Sequence, residues 1–101
     1  MRRPFVLTPQ ARDDLREILF TVADDSPRTA ERLSQEFFRG LQRLGRSPGV
    51  GHYREDLANR HYRFWNFYSY LICYRWSTKP IQVVAVVHGR RHLSAFFETR
   101  L

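Results

Sequence analysis

Tyr62-Arg63-Phe64-Trp65-Asn66-Phe67, Tyr70-Leu71-Ile72-Cys73-Tyr74-Arg75-Trp76 and Ile81-Gln82-Val83-Val84-Ala85-Val86-Val87-His88 are three runs rich in aromatic and β-branched residues. That composition suits a pleated, half-buried surface, so each run is expected to be a strand. Only Tyr68-Ser69 and Ser77-Thr78-Lys79-Pro80 separate them, and links this short make neighbouring strands antiparallel. The second and third runs are apolar on both alternating sets, as expected of strands covered on both faces.

Upstream of this meander the period changes. Phe5-Val6-Leu7 reads as a brief strand between Pro4 and Thr8. Thr8 then caps a helix with Pro9 at its first position, and Ala11, Leu15, Ile18, Leu19 and Val22 fall on one face, predicting a helix over about 9–23. Asp13 and Asp14 suit the positive end of its dipole. Ser26-Pro27 repeats the capping arrangement, and Ala30, Leu33, Phe37, Leu41 and Leu44 make a second apolar stripe that stops at Gly45. So short a connection folds the two helices into an antiparallel hairpin.

Residues 46–59 fit neither period and read as a loop, while Leu93, Phe96 and Phe97 suggest a short C-terminal tail or helix. The expected fold is α+β: an N-terminal strand and a helical hairpin packed on a mainly antiparallel sheet of three to four strands. Residues 1–101 are expected to form one domain, since a chain of this length buries one modest core. Trp65, Phe67, Tyr74 and Trp76 are more aromatic surface than two helices cover. Either a partner covers part of it, or the loop and C-terminal tail complete a thick core.

The formal charge of +7 gives a field that attracts phosphate polymers, anionic lipid or acidic protein. Lys79 is the sole lysine, so the basic surface is built of guanidinium forks that bind carboxylates or phosphates bidentately. A lone cysteine, Cys73, forms no internal disulfide, which makes the reducing cytoplasm the expected compartment. No stretch reads as a signal peptide or approaches the ~20 apolar residues of a membrane span. His52, His61, His88, His92, Asp56 and Cys73 show no HxxxH or CxxC spacing, and Gly49 and Gly51 lack the flanking elements of a phosphate loop. Neither a metal nor a catalytic cofactor is expected.

Four segments carry a resemblance: Leu7-Thr8-Pro9-Gln10-Ala11-Arg12-Asp13-Asp14-Leu15, Ser47-Pro48-Gly49-Val50-Gly51, Tyr70-Leu71-Ile72-Cys73-Tyr74-Arg75, and Val86-Val87-His88-Gly89-Arg90-Arg91-His92-Leu93. In their order and spacing, over nearly the whole chain, they resemble the ParE/RelE toxin superfamily, and the last two resemble its ParE branch. The resemblance implies a toxin of a type II toxin–antitoxin system, held in a hetero-oligomeric complex by a ParD-like antitoxin whose C-terminal segment wraps it. ParE-type toxins act on DNA gyrase, whereas RelE-type relatives cut messenger RNA on the ribosome.

RNA cleavage without a metal needs a base, an acid and cations on the phosphate. His88, His61 and Arg63 nominally supply such a set, with Glu55 as a second possible base. RelE-type enzymes, however, often place a tyrosine near the end of the last strand, and here no tyrosine follows Tyr74. No catalytic residue is therefore expected under the ParE reading. Arg90 and Arg91, joined by Arg60 and Arg63, are expected to form a basic patch for target or antitoxin, with His88 beside it and Trp65 and Tyr74 as aromatic anchors. A plain RNA- or DNA-binding module is a third class, but no groove-reading or base-stacking motif supports it.

Overall fold

The structure, a computed structural model, describes residues 3–101. The elements are β1 (Phe5–Leu7), α1 (Pro9–Asp25), α2 (Pro27–Arg46), a 3-10 turn (Pro48–Val50), β2 (Tyr62–Phe67), β3 (Tyr70–Arg75), β4 (Ile81–His88) and α3 (Leu93–Arg100). The Thr8 hydroxyl accepts the Ala11 amide at 3.2 Å, and the Ser26 hydroxyl accepts that of Thr29 at 3.2 Å. Ser26 also ends α1, its own N–H bonding to Val22 O. One serine thus closes the first helix and opens the second, which sets the hairpin.

Gly45 lies inside α2, one residue short of its end. A Cβ there would come within 2.3 Å of the Pro4 carbonyl oxygen, so the glycine is needed for close packing rather than as a stop. The expected loop begins one residue later than read, after Arg46 of α2, and carries the 3-10 turn and an antiparallel bridge between His52 and Phe64.

The sheet has the order β1-β4-β3-β2. β2, β3 and β4 form the expected antiparallel meander, and β1 joins its edge parallel to β4, pairing Phe5 with Ile81 and Leu7 with Val83. A register shift between Cys73 and Tyr74 interrupts the β3–β4 ladder. Such a bulge changes which face later residues take. Val83 and Val86 both pack under the helical hairpin, while Ala85 and Val87 lie on the other face, and this is why the run shows no simple alternation.

Each face is covered from within the chain. Phe37, Leu41 and Leu44 of α2 pack on Ile72, Tyr74 and Ile81, with Trp65, Phe67 and Trp76 half-buried around them. Gly40 admits Phe67, whose ring would lie 2.9 Å from a Cβ at that position. On the other face Phe97 of α3 packs on Phe64, Leu71, Cys73 and Val87, flanked by Leu57 and Ala58 of the loop. Burial of each large side chain contributes about 1.5–3 kcal/mol. Of the four aromatic residues expected to exceed the helical cover, Tyr74 is fully buried, whereas Trp65, Phe67 and Trp76 stay half-buried on the helix side, and α3 with Leu57 and Ala58 covers the opposite face.

β1 is only three residues long, so among the described residues β4 has no neighbouring strand beyond Val83 on that side. Two side chains take the place of one. Asp14 of α1 accepts the Val86 N–H at 3.0 Å, and Arg100 of α3 donates to the Val84 carbonyl at 3.1 Å and to Asp14. A carboxylate read from the sequence as a dipole partner therefore satisfies an open strand edge and anchors the C-terminal helix.

Candidate interaction surfaces

Register separates the expected basic residues. Tyr62 pairs with Arg75, which pairs with Gln82, whereas Phe67 pairs with Tyr70, which pairs with His88. Arg60, His61 and Arg63 therefore lie at one end of the sheet, and His88, Arg90 and Arg91 at the other. The eight residues of β4 span seven steps of about 3.3 Å, which sets the two ends roughly 23 Å apart. The structure does not bring Arg60 and Arg63 into one patch with Arg90 and Arg91. Nor do His88, His61 and Arg63 converge on a single phosphodiester, since an acid, a base and an activating cation must each reach the reacting group.

At the first end, Arg63 is built into the fold. Its Nη1 donates to Gly51 O at 2.8 Å and its Nη2 to the Tyr53 hydroxyl at 3.1 Å. The guanidinium lies 4.3 Å from the Tyr53 ring centroid and 4.6 Å from that of Trp76. Its buried Nε finds no hydrogen-bond partner among the described residues, while both rings lie against the same guanidinium. Tyr74 is likewise a core residue rather than a surface anchor, with no exposed area. Its hydroxyl donates to Pro48 O at 2.6 Å and accepts the Gly51 N–H at 3.0 Å, and burial raises its pKa above the ordinary phenol value. Arg63 and Tyr74 together staple the 3-10 turn to the sheet.

Around this staple, Arg60 pairs with Glu55 at 2.7 Å and lies over the Tyr53 ring, and its carbonyl accepts the Trp76 indole N–H at 2.9 Å. His61 is exposed. Trp65 is half-buried against the helix-side core, so it offers only part of its ring. Tyr53 organises both arginines although it stands in an aperiodic loop, where no pattern of spacing marks it.

At the second end the chain turns sharply after β4. The Nδ1 of His88 accepts the Arg90 N–H at 3.1 Å, and His88 O accepts the Arg91 N–H at 3.0 Å. Tyr70 meets the His88 ring edge to face, with centroids 5.5 Å apart. Arg90 is exposed and, among the described residues, pairs with no carboxylate, while the Arg91 guanidinium lies 5.3 Å over Phe96. Next to this turn a cleft of about 470 Å³ separates α1 from the unpaired stretch of β4, with Glu17, Ile18 and Val22 on one wall and Val86 and His88 on the other.

A family model described as the ParE toxin of the type II toxin-antitoxin system, parDE, matches residues 5–93. The chain belongs to this ParE toxin family. No curated protein matches the sequence. The ParE match takes in the hairpin, the whole sheet and the turn bearing Arg90 and Arg91, and it ends at the first residue of α3. Phe97 and Arg100, which fasten α3 in this ParE-family chain, lie beyond it. Among the described residues, no helix is long and apolar enough to cross a membrane, and no three His, Cys, Asp or Glu side chains converge on a metal site.

Proposed function

We propose that this ParE-family toxin arrests growth by binding DNA gyrase in the cytoplasm, through contact rather than catalysis, and that a ParD-like antitoxin holds it inactive in a hetero-oligomeric complex. The observation that carries this reading is the turn after β4. It presents Arg90, which pairs with no carboxylate among the described residues, beside Arg91, on a backbone fixed by His88 and within the segment that the family model matches. Exposed arginines on a rigid element make strong contacts at low entropic cost. The separation of His88 from His61 and Arg63 supports contact over phosphodiester chemistry. For the antitoxin, the +7 field would steer an acidic, amphipathic segment, and the cleft between α1 and β4 offers the apolar side chains of Ile18, Val22 and Val86.

The test is to induce the protein without its antitoxin while following DNA breaks, filamentation and transcript integrity, and to assay supercoiling with purified gyrase. Arg90→Ala combined with Arg91→Ala should abolish gyrase inhibition, and Arg90→Ala alone should weaken it while leaving antitoxin binding intact, since Arg91 but not Arg90 lines the cleft beside β4. Early transcript cleavage with intact chromosomes would reject the gyrase reading in favour of a ribosome-dependent ribonuclease.

A further inference from the structure

Arg3, Arg46 and Lys79 come from three parts of the chain, yet they rim one cleft of about 520 Å³ at the end of the sheet where β4 begins. The fold builds this meeting in two ways. Parallel pairing of Phe5 with Ile81 sets Arg3 and Lys79, each two residues upstream of a paired strand residue, side by side. The close approach of Gly45 to Pro4 then brings the end of α2, and Arg46 with it, to the same place.

All three cations are exposed, and among the described residues none of them pairs with a carboxylate. Among the described residues, none that lines the cleft is acidic. The negative end of the α2 dipole accounts for Arg46 alone. Arg3 and Lys79 add like charge beside it, an arrangement that repels itself until an anion enters.

The walls narrow the choice of anion. Pro4, Pro48 and Pro80 contribute no N–H, and Gly45 and Arg46 lie within α2, where the helix takes up theirs, so fewer backbone donors are left for a peptide carboxylate or an added strand. It offers instead a flat ring, that of Trp76. The ring is already fixed by its N–H bond to Arg60 O and by the Arg63 guanidinium, so stacking on it costs little ordering. Cations around an aromatic wall fit a ligand that alternates phosphates with planar bases.

We infer that this cleft binds single-stranded nucleic acid, with one base against Trp76 and neighbouring phosphates on Arg3, Arg46 and Lys79. The site lies about the length of β4 away from Arg90 and Arg91, and it stands whether or not gyrase is the target.

The experiment measures fluorescence anisotropy of a labelled eight-nucleotide oligothymidylate with the full-length protein. The comparisons are an abasic strand of equal charge, a duplex of equal length and an acidic peptide. The oligothymidylate should bind at least ~10-fold more tightly than the abasic strand, the scale of losing one stacked base. Log affinity should fall with log salt at a slope of roughly −2, as expected of three phosphate contacts on a single strand. Arg3→Gln, Arg46→Gln and Lys79→Gln should each reduce that slope by about 0.7, and all three together should abolish binding, while Arg90→Ala with Arg91→Ala should leave it unchanged. Trp76→Phe, which keeps a ring in the half-buried position, should weaken the preference over the abasic strand without changing the slope. Equal affinity for the abasic strand, tighter binding of the duplex or the peptide, binding that survives the triple substitution, or no binding at all would each overturn the assignment.

Discussion

The carboxylate of Asp14 and the guanidinium of Arg100 meet in a two-pronged hydrogen bond, Nη1 to Oδ2 at 2.7 Å and Nη2 to Oδ1 at 2.9 Å, with side chains 12% and 17% exposed respectively. This bond raises the pKa of Arg100, and the same two groups also take up Val86 N–H and Val84 O. Asp14→Ala would strand a shielded cation and an unpaired strand amide together. The expected loss is about 2–4 kcal/mol by urea unfolding, with Arg100→Ala similar. The double variant should lose clearly less than the sum of the two, because each single change already breaks the shared contact. Strictly additive losses would show that the two groups stabilise independently.

Arg63 should resist replacement even by lysine. Its fork reaches Gly51 O and the Tyr53 hydroxyl at once while packing against two rings, which a single ammonium cannot reproduce. Arg63→Lys is expected to cost about 1–3 kcal/mol, and Tyr74→Phe a similar amount because it leaves the buried Gly51 N–H unpaired. Thermal unfolding measures both. Lysine at full stability would mean that Arg63 is held only loosely in solution.

The elements were legible because their signals are local. Thr8-Pro9 and Ser26-Pro27 mark helix starts, and three aromatic and branched runs with short links mark a meander. The separation of Arg63 from Arg90 was in principle legible too: in three antiparallel strands, the start of the first and the end of the third lie at opposite ends. Basic composition hides that, since charge has no direction along the chain. The parallel docking of β1, the Asp14–Arg100 tie and the Tyr74 hydroxyl bonds were not legible. Each joins residues far apart in sequence with no periodic trace, and the tyrosine in an apolar strand run gives no sign of where its hydroxyl will bond.

His88 distinguishes positioning from proton transfer. Its Nδ1 holds the Arg90 amide, so an acceptor at that position preserves the turn. His88→Asn should retain most gyrase inhibition, whereas His88→Ala should lose about 3- to 10-fold through a looser turn; both should unfold within about 0.5 kcal/mol of the natural protein, since the residue is exposed. If His88 were the acid or base of a nuclease, asparagine would be as damaging as alanine, with transcript cleavage falling about 100-fold.

Burial pushes the Cys73 thiol well above its ordinary pKa, and it raises the Tyr74 phenol in the same direction. In both, the folded chain favours the protonated form more than the unfolded chain does, so stability falls wherever the unfolded state has released the proton and the folded state has not. The stabilisation is complete below the unfolded values, about 8.5 for cysteine and about 10 for tyrosine, and is lost as pH rises through the folded ones. Unfolding free energy should therefore decline from about pH 8.5, at up to about 1.4 kcal/mol per pH unit for each group, and more steeply above about pH 10. Cys73→Ala should flatten the first part of the decline and Tyr74→Phe the second, whatever each costs at neutral pH. In the native protein at pH 8 the thiol should react with Ellman's reagent only as fast as the sheet face under α3 opens, and Arg100→Ala, by loosening that helix, should speed the reaction. Immediate labelling of the folded chain would show that α3 does not cover Cys73 in solution.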